Sequence, residues 1–148
     1  MKSKRINGFI FWLASLTWGL PMTLIGALVA FALIYVGYTP KRFGYLIYFE
    51  VGEKWGGVEL GAFFIVNKNA SEHIKQHEAG HGIQNIMFGF LMPFIVCIPS
   101  ATRYWIREYK KRKGLAATLP PYDSIWFEGQ ATRLGKKHFA QNGGVENE

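Results

Sequence analysis

The sequence predicts an α+β membrane protein, and three observations carry that prediction. Residues 6–40 contain no charged side chain, and two runs rich in β-branched and aromatic residues lie between Tyr45 and Val66. A polar helical segment around His77 and His81 then leads into a second uncharged run, 82–102. An apolar stretch as long as the first exceeds the ~20 residues a spanning helix needs. At 148 residues with one cysteine, the chain suits a single core formed without disulfides. Cys97, inside an apolar run, reads as a small buried hydrophobe.

The charge balance narrows the partners. A net charge of +7 would suit nucleic acid or an anionic lipid surface. The basic residues flank apolar segments, as membrane topology and lipid headgroups require, so the expected partner is a lipid bilayer and not nucleic acid.

The N-terminal run is too long for a cleaved leader, whose apolar core spans about 7 to 15 residues. A straight helix over 8–38 would measure about 46 Å against a hydrocarbon core of ~30 Å, so it must break or tilt. Gly19-Leu20-Pro21 supplies the break. The expectation is an interfacial helix at 6–18, anchored by Trp12 and Trp18, and a transmembrane helix at 21–38. Together they form a membrane anchor over 1–42.

Residues 45–51 and 58–66, joined through Gly52, Gly56 and Gly57, read as a β-hairpin. Its second strand precedes the polar helix, and Gly61, Ala62, Phe63 and Phe64 are the expected edge for a substrate to pair with by strand addition. Asn69 caps the following helix, with Glu72 answering three residues later, so the helix begins near Ala70. Ala79, Ile83, Ile86 and Phe90 gather on one face of it, and His73, His77, His81 and Gln84 on the other.

His77-Glu78-Ala79-Gly80-His81 is an HExxH motif. Two histidines four apart on a helix share one face and can bind one Zn²⁺, with the glutamate between them serving as a base toward a zinc-activated water. His73 also precedes His77 by four, but three points along one straight helix surround a tetrahedral ion poorly. Gly80 and Gly82 each cost about 1 kcal/mol relative to Ala in a helix, which implies close approach by a neighbouring helix or by substrate.

A catalytic zinc needs a third protein ligand. Glu108, Asp123, Glu128 and His138 are available downstream, with Glu146 and Glu148 in the tail. The basic stretch from Arg103 to Lys113 reads as solvated or lipid-facing, and 123–134 as a last helix capped by Asp123 or Ser124.

The pairing of His77-Glu78-Ala79-Gly80-His81 with Glu128-Gly129-Gln130-Ala131 resembles the gluzincin metallopeptidases, in particular their membrane-bound prenyl-protease and antibiotic-sensor branches. That resemblance implies that His77, His81 and Glu128 bind one Zn²⁺ and that Glu78 is the catalytic base. Thr132 stands where the family often has Asp, so its hydroxyl or another group must support a ligand histidine. Tyr122, Arg133 and His138 are the available oxyanion donors.

The ligand set bears on topology. If 82–102 crossed the bilayer, His77 and Glu128 would lie on opposite sides, so a re-entrant segment is expected, inserted over 86–106 of a zincin-like catalytic domain at 43–134. Residues 135–148 are expected to form a flexible tail.

The predicted function is hydrolysis of a peptide or membrane-protein substrate by an integral membrane zinc peptidase, with its site at the cytoplasmic face. A zinc hydrolase of lipid-linked esters or amides and a non-catalytic zinc-stabilised scaffold are the alternatives.

Overall fold

The structure, a computed structural model, describes residues 5–140. It begins with two helices, α1 (Gly8–Ser15) and α2 (Leu20–Tyr35), which meet at a 95° bend. The break falls at the Gly19-Leu20-Pro21 sequence, where Pro21 occupies the first turn of α2. α2 has 16 residues, about 24 Å of helix, and falls short of the ~30 Å hydrocarbon thickness. The transmembrane helix expected at 21–38 is therefore not present as a single span: no helix among the described residues is long and apolar enough to cross a membrane alone.

α1 is packed against the main core on one side. Phe11 is fully buried in the main core, and the Trp12 indole donates to the Tyr45 carbonyl at 2.8 Å. Both residues sit among side chains of the domain that was expected to start only at residue 43.

Four strands follow: β1 (Lys41–Phe43), β2 (Leu46–Glu50), β3 (Gly57–Leu60) and β4 (Phe63–Val66), in the sheet order β1-β2-β4-β3. The expected hairpin between 45–51 and 58–66 is not formed. β2 and β4 are parallel, with Ile47 opposite Phe63 and Glu50 opposite Val66, and the hairpin lies inside the second run, between β3 and β4. Gly61 is the cause. Its φ of +73° opens a two-residue turn with Ala62, and a Cβ there would lie 2.4 Å from the backbone nitrogen of Thr23. β4 is consequently an interior strand and β3 an edge. The substrate edge expected at Gly61 to Phe64 is thus corrected: Phe63 and Phe64 are hydrogen-bonded on both sides, and the unpaired edges among the described strands are those of β1 and β3, of which β3 lies beside α3.

Alternation places Phe64 and Val66 of β4, with Leu46 and Tyr48 of β2, toward Ala79 and Ile83 of α3 (Glu72–Phe88). Each fully buried side chain of this kind contributes about 1.5–3 kcal/mol of transfer free energy. α3 starts two residues later than expected because Ser71, not Asn69, is its cap. The Ser71 hydroxyl accepts from the Ile74 N–H, while the Asn69 N–H is turned to the Asn67 side chain.

α3 ends at Gly89, and an elbow with a π-helical turn at Pro93–Cys97 redirects the chain by 117° into α4 (Ile98–Arg112). A second small core of Met22, Met92, Val96 and Phe127 sits under the elbow. The last helix, α5 (Trp126–Phe139), lacks the side-chain cap expected from Asp123 or Ser124, which instead lie in a short 3₁₀ turn. Residues 135–139, expected in a flexible tail, belong to α5, where Gly135, His138 and Phe139 are buried. Residues 141–148, with Glu146 and Glu148, lie outside the described residues.

Candidate metal centre

α3 and α5 approach until their main chains touch. A Cβ on Gly80 would stand 1.9 Å from the Ala131 carbonyl oxygen, and one on Gly135 would stand 1.9 Å from that of Gln76. Gly80 meets the expected need for space with a neighbouring helix, Gly135 answers it from the other side without having been expected, and Gly82 makes its close approach to Leu46 of the sheet instead. The close crossing sets Glu128, in the first turn of α5, against His77 and His81, one turn apart on α3. Glu128 is fully buried, and the two histidines are nearly so.

His77 Nε2 and His81 Nε2 lie 3.0 and 3.1 Å from the same oxygen, Glu128 Oε2, and 3.2 Å from each other. The hydrogen bonds behind them fix the tautomers. Thr132 donates its proton to Asp123 Oδ2 at 2.7 Å, so it accepts from His77 Nδ1–H at 2.9 Å. Gln84 donates through Nε2 to the Phe127 carbonyl, so its Oε1 accepts from His81 Nδ1–H at 2.7 Å.

Both Nε2 atoms are therefore lone-pair acceptors in the neutral rings, and they face a carboxylate oxygen that is an acceptor too. One added proton satisfies one contact and leaves the others acceptor to acceptor. Two added protons set two imidazolium rings against each other. A single cation at the centre satisfies all three.

The spacing agrees, because ligand atoms ~2.0 Å from a tetrahedral ion are about 3.3 Å apart. His77, His81 and Glu128 thus lie within metal-binding distance of one another. Burial drives the Glu128 carboxyl upward, but the adjoining His77 and His81 rings, which favour its anion whenever either carries an added proton, and the Ser100 hydroxyl outweigh it and hold the group below the usual carboxylate range. It is an anion, as a ligand must be.

Glu78 points away from these three toward the sheet edge. A Cβ on Gly57 of β3 would meet Glu78 Oε1 at 2.7 Å, so glycine at that position leaves room for the carboxylate. Burial raises Glu78 to about 7, with His77 opposing the shift and Glu128 adding to it. A carboxyl near neutrality can both take and return a proton.

Two cavities, of ≈ 380 and ≈ 510 Å³, open on His77 and Glu78 and share Trp55, Gly57, Tyr104 and Tyr122. The first continues to His81 along Val96, Cys97, Ala101 and Trp105. The second is lined by Lys54, His73, Arg107 and Lys111 together with Glu108 and Asp123, so groups of both signs ring it.

Of the three expected oxyanion donors, only Tyr122 is at the cleft, its ring centroid 6.0 Å from that of His77. Burial, with Glu128 nearby, pushes its phenol up to about 12, so it keeps the proton it would donate. Arg133 is exposed on α5, and His138 lies on the far side, accepting from the Ile6 N–H. Neither lines the cleft. Thr132 stands behind His77, and Asp123 stands behind Thr132, so an aspartate reaches the ligand through a hydroxyl.

Sequence reasoning missed two supports. Ser100 of α4 donates to Glu128 Oε1, and nothing in its apolar neighbourhood marks it. Arg103 and Arg107 were read as solvated or lipid-facing, yet they donate to the Tyr122 and Pro120 carbonyls at 2.8 and 2.7 Å. Both also lie over the Tyr122 ring, at 5.5 and 5.4 Å, and so fix its place. Their i, i+4 spacing was the available signal. No family model, no curated protein and no solved structure matches this chain.

Proposed function

We propose that the chain is a zinc-dependent peptidase seated at a membrane surface. The observation that carries this reading is the position of Glu78, buried between the His77–His81–Glu128 donor set and the edge strand β3, at the junction of two cavities. Two imidazoles and a carboxylate suit Zn²⁺, with a fourth position left for water or substrate. When bound there, zinc supplies Lewis acidity, acidifying a water and polarising a carbonyl.

The protein's own groups supply the rest. β3 offers an unpaired edge to an extended peptide, and that edge favours a peptide over a lipid-linked ester. Glu78 takes a proton from the attacking water and returns it to the leaving amine. Tyr122, held by Arg103 and Arg107, donates to the developing oxyanion. Thr132 and Gln84 keep both ligand imidazoles in the tautomer that presents Nε2.

Membrane seating is supported by apolar side chains open to the outside along four elements. Phe31 is 73% exposed, Phe9 75%, Phe94 69% and Ile98 56%. Soluble monomers rarely leave such area uncovered. Two bent helix pairs, α1 with α2 and α3 with α4, have the length and composition of a broken span or a re-entrant loop.

The test is zinc content and turnover in three proteins. Wild type binds about one zinc and cleaves peptide. Glu78→Gln keeps the zinc and loses at least ~10³-fold in kcat. Glu128→Ala loses both. Wild-type turnover in Glu78→Gln, or no zinc in the wild type, sinks the proposal, and the second result favours a scaffold.

A further inference from the structure

β3 carries an acidic residue of its own, Glu59, two positions beyond Gly57. Alternate residues of a strand share a face, so the Glu59 side chain leaves β3 on the same side as the glycine that faces Glu78, about 7 Å further along. It is 7% exposed and lines the ≈ 380 Å³ cavity together with Val96, Cys97, Ala101 and Trp105. Its described hydrogen-bond partner is the Gly61 N–H, which donates to one carboxylate oxygen. No cation among the described residues forms an ion pair with it.

This is a costly arrangement for a side chain that merely closes a turn. Any short polar acceptor can receive the Gly61 N–H, and Asp, Asn or Ser does so in many turns. Glutamate instead sets an unpaired carboxyl into the wall of an apolar cavity, beside a second buried carboxyl. Burial and the neighbouring Glu78 hold it well above the usual carboxylate range. The arrangement becomes favourable when a cation enters the cavity.

We propose that Glu59 is the cation-recognition group of a specificity subsite, receiving a positively charged nitrogen of the peptide substrate. The inference rests on the peptidase reading above. Apolar walls ending in a carboxylate fit the methylene stem and charged head of a Lys or Arg side chain. The same carboxylate would also take the α-ammonium of a peptide's first residue. The cavity sits beside the exposed apolar face of α4, so a basic residue bordering a membrane segment is a fitting substrate.

Three hydroxamates separate the possibilities on the full-length, zinc-loaded protein in micelles. Nα-acetyl-lysine hydroxamate carries only the side-chain cation, norleucine hydroxamate only the α-ammonium, and Nα-acetyl-norleucine hydroxamate neither. One of the first two should bind at least ~30-fold more tightly than the third, and which one does so names the source of the nitrogen. In Glu59→Gln, which keeps the acceptor for Gly61, the preference should fall below about 3-fold while the neutral hydroxamate binds unchanged.

Equal binding of all three to wild type overturns the proposal, and needs no variant to read. A preference that survives in Glu59→Gln overturns it as well. Failure of every hydroxamate, the neutral one included, overturns the zinc site itself and is distinguishable on that account.

Discussion

α3 and α4 are consecutive helices of 17 and 15 residues, yet they are placed in opposite ways. Nine consecutive residues of α3, from His77 to Asn85, are buried; no residue of α4 is. Hydropathy would suggest the reverse for α3, since its buried stretch includes two His, Glu, Gln and Asn. What lets the two His, the Gln and the Asn85 amide nitrogen sit inside is satisfaction of their polar atoms. His77 and His81 are tied to Thr132 and Gln84, and the Asn85 amide donates to the Gly19 carbonyl at 3.1 Å.

α4 shows the complementary case. Arg103 and Arg107 hold the 120–122 connector while Trp105, Ile106 and Tyr109 face outward. One helix is interior with most of its buried polar groups partnered, the Asn85 side-chain oxygen being an exception. The other is peripheral because its apolar groups lack partners in the protein, and the proposed bilayer would supply them.

The contrast can be broken at its strongest point, the α3–α5 contact. Gly80→Ala should gain about 1 kcal/mol if helix propensity governed α3. Packing predicts the opposite sign, because the added methyl meets a carbonyl oxygen rather than a side chain that can turn away. We expect a loss of about 4 kcal/mol or more in denaturant unfolding, with loss of bound metal.

A subtler change sharpens the account of the buried polar groups. Thr132→Val keeps the shape but removes the relay from Asp123 to His77, and should weaken zinc binding about 10- to 100-fold in a competitive chelator titration. Thr132→Ser should restore most of it. Unchanged affinity in the valine variant would mean that the ring needs no such support.

The smallest effect on the fold is expected on the exposed side. Phe94→Ser combined with Ile106→Ser should change stability in micelles by less than about 0.5 kcal/mol. The same pair should lower partition into lipid vesicles at least ~10-fold, as sedimentation with vesicles would report. Undiminished partition would remove the distinction between the two helices.

Much of the site was legible in the sequence because its spacing is local. His77, Glu78 and His81 declare themselves within five residues, and Glu128 with Ala131 within four. What stayed hidden depends on contacts across the chain. Asp123 looked like a helix cap because capping is a local signal; its partner, Thr132, is reached only after the 3₁₀ turn folds it back.

The sheet order was misread for a local reason that was visible. Gly61-Ala62 is a two-residue turn inside a run that is apolar but for Glu59, and the run masked it. The bilayer-length helix failed on a different count. The break at Gly19-Leu20-Pro21 was legible, but apolar composition over 6–40 does not say where the second helix stops, and α2 ends at Tyr35.

The reciprocal placement of Gly80 and Gly135 has a consequence for how this site can vary. Where side chains set the distance between two helices, a larger residue on one can be matched by a smaller one on the other, and the gap drifts through many acceptable values. Here the spacer is carbonyl against α-carbon in both directions. Such a joint has no adjustable part. The side chains around the three donor groups can be exchanged one at a time, but the gauge that holds them at 3.0 to 3.2 Å is kept whole or lost at a single step.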